Sequence, residues 1–376
     1  MTSMIRVLHL TPEPQITIRL QRYLRSNMNM GIQPIVFCRT LSQAERRIDA
    51  IHDIWIPDFS RIPIRYYKPS RLMTYLLPSI FDEIGLKNIF RKYNCDLVHA
   101  HSPDTAYYSY KLGLPTIFDD WEFWLEHLDY MTAHVSSSPE AKIKRDLKPR
   151  QIYHSALLYY KIRRVKNIVK DLIKHTSLIV TNKEVERKYR EMGASSIYWI
   201  PNVPMRYEME YALAVQKKKM DKITTCYIGN MTRDEKTFLR NTTGIRNLWC
   251  EEKLGGLYVF EGENRVPHLE VMRKVRECHF NLLFWKPLNI HRYYIQNKAF
   301  LASVVGVPTI ISSSLKATVS LLGELALSVD SINEIPDIIR NYDYSKKYSF
   351  DPAHLWEYYE SRIKRAYEDV LDRAVS

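Results

Sequence analysis

Short β-branched runs alternate with longer amphipathic segments along the whole chain, and the alternation breaks only once. No other feature constrains the fold as much, because strands separated by helix-length crossovers lead to parallel pairing. Runs at 5–10, 34–38, 96–101, 115–118, 178–181 and 197–200 read as buried strands. Between them, 16–30, 72–93, 104–112 and 184–192 read as helices, several closed by Gly31, Gly113 or Gly193. After Pro201-Asn202-Val203-Pro204 comes a polar stretch with Lys217, Lys218 and Lys219, and then the alternation resumes. Strands are expected at 224–228, 257–260, 280–284 and 309–311, with helices at 267–276, 297–305 and 315–322. From 352 to 374, Leu355, Tyr359, Ile363, Ala366 and Val370 recur with helical period. The expectation is two doubly wound α/β domains, 1–203 and 223–348, joined by a linker at 204–222 and followed by a terminal helix in 349–376. Such sheets bind ligands beyond the carboxyl ends of their strands, so a cleft between the domains is the expected site.

Composition removes several classes of function. A chain of 376 residues buries about three-quarters of its unfolded surface and needs no staple. It has only 11 glycines, and neither G-x-G-x-x-G nor G-x-x-x-x-G-K-[ST] occurs, which argues against dinucleotide-dependent dehydrogenases and P-loop NTPases. Cys38, Cys95, Cys226, Cys250 and Cys278 are far apart and form no C-x-x-C, so neither a zinc ribbon nor a disulfide framework is expected. No apolar run approaches the ~18 residues of a membrane span, and the six-residue strand before Pro12 is too short for a signal peptide. A cytoplasmic protein is expected, and its net charge of +13 favours acidic partners.

Five segments, in order, resemble glycosyltransferase family 4 (glycosyl transferases group 1), whose members have the GT-B fold. Asp96-Leu-Val-His-Ala-His-Ser-Pro103 is similar to the D-h-h-H-x-H strand end of the acceptor domain, and Asp119-Asp-Trp-Glu-Phe-Trp124 to its D-x-H-E turn. Ile200-Pro-Asn-Val-Pro204 resembles the exit into the linker. The stretch from Asn297 to Ile310 resembles the N-K-x-F-E donor helix with its following strand, and Trp356 onward resembles a closing helix that crosses back to the first domain. The chain departs from the pattern at Trp121 (His in the family), at Leu301 and Tyr293 (both Glu), and at Thr11-Pro-Glu-Pro-Gln15, which replaces a glycine-rich loop.

The resemblance implies an acceptor-side Rossmann-like domain, a nucleotide-sugar-binding one, and a hexosyltransferase. Its expected donor is a UDP- or GDP-sugar and its acceptor a glycan or lipid-linked hydroxyl, with retention of configuration and no metal or other cofactor. Retaining members need no protein nucleophile, since the leaving phosphate can assist the incoming hydroxyl. A non-catalytic binding protein and a nucleotide-sugar epimerase on the same fold are the alternatives.

A donor diphosphate needs cations and free N–H groups, as at a helix start, which points to Gln296, Asn297 and Lys298. Gly229, Asn230, Arg233 and Lys236 lie in the loop where the family carries its phosphate clamp. On the acceptor side Glu13, His101, Asp119 and Glu122 fall at strand ends, where a carboxylate or imidazole could orient a hydroxyl or accept its proton. Asp104 reads as a helix N-cap, His99 as core, and Trp121, Phe123 and Trp124 as a buried aromatic cluster that could alternatively stack on sugar. Residues 140–175 hold eleven Lys/Arg against three acids, with Leu157, Leu158, Tyr159, Tyr160 and Ile162 interleaved. This reads as a solvated basic face or as peripheral contact with an anionic membrane; no nucleic-acid-binding module accompanies it.

Overall fold

The computed structural model describes residues 4–12, 16–39, 59–67, 80–137, 149–216, 222–235, 240 and 242–375. Glu13, Lys236, Lys217 to Lys219 and the basic stretch 140–148 lie outside the described residues. The chain forms two compact units, Met1–Ile200 with Ser361–Ser376, and Pro201–Glu360.

The first unit is built on a seven-stranded sheet in the order β3-β2-β1-β4-β5-β6-β7. These strands are β1 (Arg6–Thr11), β2 (Gln33–Arg39), β3 (Ile64–Tyr67), β4 (Leu97–Ala100), β5 (Thr116–Asp120), β6 (Ser177–Val180) and β7 (Ile197–Trp199). All pairings are parallel. The central strands are buried on both faces, as apolar, β-branched runs such as Leu97-Val98 and Leu178-Ile179-Val180 require. Helices are started by side-chain caps: Thr17 for Ile18–Asn29, Asn182 for Lys183–Glu191 and Ser102 for Pro103–Lys111. Ser102, not Asp104, is therefore the cap of the third of these. Pro103 fills the first helical position, where no N–H is needed, and Ser102 and Thr105 satisfy each other's backbone N–H groups.

The second unit has a five-stranded parallel sheet, order β12-β11-β10-β8-β9. Its strands are β8 (Thr224–Tyr227), β9 (Gly256–Val259), β10 (Phe280–Leu283), β11 (Thr309–Ser312) and β12 (Ala326–Val329). One of its cores joins Cys226, Ile228, Phe260, Met272 and Leu301; another joins Tyr227, Trp249, Phe280 and Ile310.

The structure holds elements that the sequence reading did not expect: helices Trp124–Ser137, Ile245–Glu251 and Ile335–Asn341, and the edge strands β3 and β12. Arg206–Leu213, in the stretch read as linker, is a helix. Arg273 and Arg276, from helix His268–Glu277, donate to its terminal carbonyls at Tyr211 and Ala212. The last helix begins at Glu360 rather than near 352. The Trp356 N–H is given to the Pro204 carbonyl at 2.8 Å, and 352–359 forms two 3₁₀ turns instead.

Candidate functional site

Both sheets reverse their strand order at one point, and both gather polar side chains there. In the first unit the reversal lies between β1 and β4, the position at which open α/β sheets bind ligands. His9 of β1 is in register with His99 of β4, and His101 follows two residues later on the same side, its ring stacked on His99 at 4.6 Å. His9 Nδ1 and His101 Nε2 are 3.1 Å apart. At the end of β5, Asp119 receives two hydrogen bonds from Arg19 (Nε 2.9 Å, Nη2 2.8 Å), and His101 Nδ1 lies 3.4 Å from Oδ2, the oxygen that accepts from Arg19 Nε. Burial alone would raise the Asp119 pKa, but the Arg19 guanidinium holds the carboxyl below its usual range. Burial, reinforced by the neighbouring His101, lowers His9 and His99 well below the ordinary histidine value, so both are neutral at pH 7.

The turn after β5 is strained. Phe123 is buried with φ +53°, a left-handed conformation costly for an aromatic residue. Asp120 holds this turn by accepting from the Trp124 N–H (3.0 Å) and the Tyr189 hydroxyl (2.6 Å), and burial raises its pKa to about 6. Glu122 sits in the turn itself, half-buried.

In the second unit the order reverses at β8 and β10. Three cations from different segments surround one buried carboxylate there. Asp234 accepts from Arg240 Nη1 (2.9 Å) and the Tyr227 hydroxyl (2.7 Å), with Arg233 Nε at 3.9 Å. The Arg240 guanidinium also lies 5.0 Å from the Trp285 ring, and the Lys298 ammonium 5.6 Å from that of Tyr227. Burial lowers the Lys298 pKa to about 7, with Arg240 and Arg233 adding repulsion that Asp234 only partly offsets. Gly229 makes this approach possible. Its φ is +146°, and a Cβ there would come within 2.5 Å of Lys298 Nζ.

The structure thus brings Gly229, Arg233 and Lys298 together, as it does His101 and Asp119. Asn230 spends its side chain capping the turn Met231–Asp234 through the Arg233 N–H. Gln296 is the N-cap of helix Asn297–Ser303, its own N–H given to Thr318, and Asn297 is the first helical residue. Sequence reasoning missed His9, Arg19, Asp234 and Arg240. No motif marks them: His9 enters its cluster through strand register, Arg19 from helix Ile18–Asn29 and Asp234 from the turn Met231–Asp234.

No protein-family model matches the chain, and no curated protein sequence matches it. Solved structures do match. Sucrose-phosphate synthase from Thermosynechococcus elongatus aligns over 98% of this chain and 100% of its own, with TM-score 0.62 at 14% identity. HepE from Anabaena, solved with UDP, aligns over 98% and 99%, with TM-score 0.53 at 10% identity. A glycosyltransferase from Rickettsia africae aligns over 99% and 97%, with TM-score 0.51 at 10% identity. The fold is GT-B. Within this GT-B chain Leu301 is 2% exposed and packs in the apolar core with Cys226 and Met272, while Trp121 is half-buried beside Glu122. Among the described residues, no helix is long and apolar enough to cross a membrane.

Proposed function

We propose that the chain is a glycosyltransferase, similar to family 4, that moves a hexose from a UDP- or GDP-sugar to a hydroxyl of a glycan or lipid-linked acceptor. The observation that carries this reading is the convergence of Lys298, Arg240 and Arg233 at the strand-order reversal of the second unit. A lysine whose pKa has fallen to about 7 beside two arginines lacks negative charge, and a diphosphate supplies it. The UDP and UDP-glucose complexes of HepE, which shares the fold, support a nucleotide sugar as that ligand.

Transfer in this reading is retaining and uses the chain's own cations, rather than a divalent metal, against the diphosphate. As the C1–O bond to phosphate breaks, Lys298 and Arg240 stabilise the charge on the departing oxygen. The acceptor hydroxyl forms the new C1–O bond and gives its proton to that same phosphate. Both Asp119 oxygens are committed to Arg19, so Asp119 positions His101 rather than taking a proton. His101 and Glu122 are the groups proposed to orient the acceptor.

One observation favours a second reading, nucleotide-sugar binding without turnover. Leu301 lies in the core, so the carboxylate that the family resemblance calls for at this position is missing. A thermal-shift panel of UDP, GDP, ADP and TDP, followed by product analysis with the stabilising nucleotide's sugar, separates the two. Saturation at a hundred times Kd adds about 2.7 kcal/mol to stability. A response with no glycosylated product selects the second reading, and silence to all four nucleotides refutes both.

A further inference from the structure

We propose that His9, His99 and His101 bind one transition-metal ion, zinc or an ion of similar ligand preference, through His9 Nδ1, His99 Nε2 and His101 Nε2. One nitrogen from each ring lies within 4.8 Å of one from each of the others, and the three rings are tilted by no more than 34° from one another. The opposite nitrogen of every ring is already held. Asn27 bonds His9 Nε2 at 2.8 Å, the Tyr367 hydroxyl bonds His99 Nδ1 at 3.0 Å, and Asp119 stands 3.4 Å from His101 Nδ1. Metal-binding histidines are fixed in this way, with the outer nitrogen tied to an amide, hydroxyl or carboxylate so that the inner one points at the ion.

The inner nitrogens carry the independent evidence. His99 Nε2 is buried and has no hydrogen-bond partner, which is costly for a polar atom in a sheet interior. His9 Nδ1 and His101 Nε2 stand 3.1 Å apart, near the ~3.3 Å that tetrahedral geometry with metal–nitrogen bonds of 2.0–2.1 Å demands. Coordination by His9 Nδ1 needs its Nε2 to carry the proton; the Asn27 amide nitrogen now faces Nε2 and the amide oxygen accepts from the Tyr367 hydroxyl, so the amide turns over, its oxygen accepting from His9 and its N–H going to Tyr367. Asp119 is neutralised by Arg19, so the ion's charge falls on its fourth ligand. That favours water ionised to hydroxide. Of the three rings only His101 reaches the surface, at 8%, and solvent enters on its side. The site is separate from the diphosphate cations, which belong to the five-stranded unit, but it takes the His101 nitrogen that the glycosyl-transfer reading turns to an acceptor; with the ion bound, Glu122 is left to orient that hydroxyl.

The test is metal binding by the full chain, stripped with chelator and titrated with Zn²⁺ or Co²⁺ alone. The expected result is one equivalent of zinc, a raised Tm, and the visible absorption of tetrahedral cobalt. His99→Gln should abolish the cobalt spectrum while circular dichroism stays native, and Tyr367→Phe should weaken affinity 10–100-fold. If His99→Gln fails to fold, X-ray absorption of the zinc-loaded wild type decides: three imidazole nitrogens at about 2.0–2.1 Å support the site. Sulfur ligation, no stoichiometric binding, or binding that survives His99→Gln overturns it.

Discussion

Lys298 stands on the boundary between its two charge states, and this gives the proposed donor site a pH dependence of definite sign. Its folded pKa of about 7 lies below the ~10.4 of an unfolded lysine, so between those values the unfolded chain binds more protons. This group's contribution to stability therefore rises with pH from about 7 to about 10. A bound diphosphate acts the other way, restoring the proton. Nucleoside diphosphate affinity should fall as pH rises through 7, with proton uptake visible when calorimetry is repeated in buffers of different ionisation enthalpy. Lys298→Ala should remove that uptake and cost about 1.5–3 kcal/mol of binding; equal affinity in the variant would place the diphosphate elsewhere. Gly229→Ala should weaken the same ligand while leaving the fold native. The added methyl strains a φ of +146° and displaces the ammonium 2.5 Å away. Lys298 and Gly229 were legible in the sequence because one begins a helix and the other ends a strand. Arg240 was not, since no motif or hydrophobic period in the sequence points to it.

At the scale of elements, strands and helices could be read wherever burial on both faces made the hydrophobic period strong. It failed at the edge strands β3 and β12, where Ile64, Arg65 and Ala326 to Ser328 are not buried. Leu301 shows why a motif departure can be a statement about packing. Its helix, Asn297–Ser303, buries Ala299, Phe300, Leu301 and Ala302 in succession, so the side chain at 301 is enclosed by apolar neighbours. Leu301→Glu should then destabilise the protein by about 3–5 kcal/mol, an unpaired carboxylate being taken out of water. Chemical denaturation measures this, and tighter nucleotide binding without loss of stability would show a ribose contact instead. Helix Pro149–His175 carries the basic segment and divides its surface. Ile162, Ile168, Val169, Leu172 and Ile173 are buried, while Tyr159, Tyr160 and Arg163 are exposed. Arg163 and Lys170 are exposed on this helix, so the electrostatic part of membrane contact is what the test reads. Binding to anionic vesicles should fall steeply with salt, at about 1 kcal/mol per basic residue near the surface, and equal sedimentation with neutral vesicles would exclude it.

For the whole molecule, the decisive feature is where the chain crosses between its units. Pro201–Glu360 is a continuous stretch, whereas the first unit needs residues from both ends of the sequence. The two ends of the continuous unit are tied together: Trp356 donates to the Pro204 carbonyl at 2.8 Å, and the Arg206 N–H to the Glu357 carboxylate at 2.9 Å. A segment whose ends meet, and which owns a five-stranded sheet and two buried clusters, has what an independent domain requires. The final helix belongs instead to the first unit, where Tyr367 bonds His99 and Asn27, and Arg362 donates to the Trp199 carbonyl. A fragment of residues 201–360 should therefore fold cooperatively by itself, while residues 1–200 without the last helix should not, because His99 Nδ1 would lose Tyr367 and the first unit would lose the buried Ile363, Ala366 and Val370. Lys298, Arg240 and Arg233, the cations proposed to hold the diphosphate, all lie in the continuous unit, so in that reading the folded fragment should also retain the nucleoside diphosphate affinity of the full chain to within a few-fold. Calorimetry on the fragment measures both quantities. A fragment that melts cooperatively yet binds no nucleotide would mean that the donor site takes essential groups from the seven-stranded unit, and the cluster around Lys298 would not suffice to hold a diphosphate.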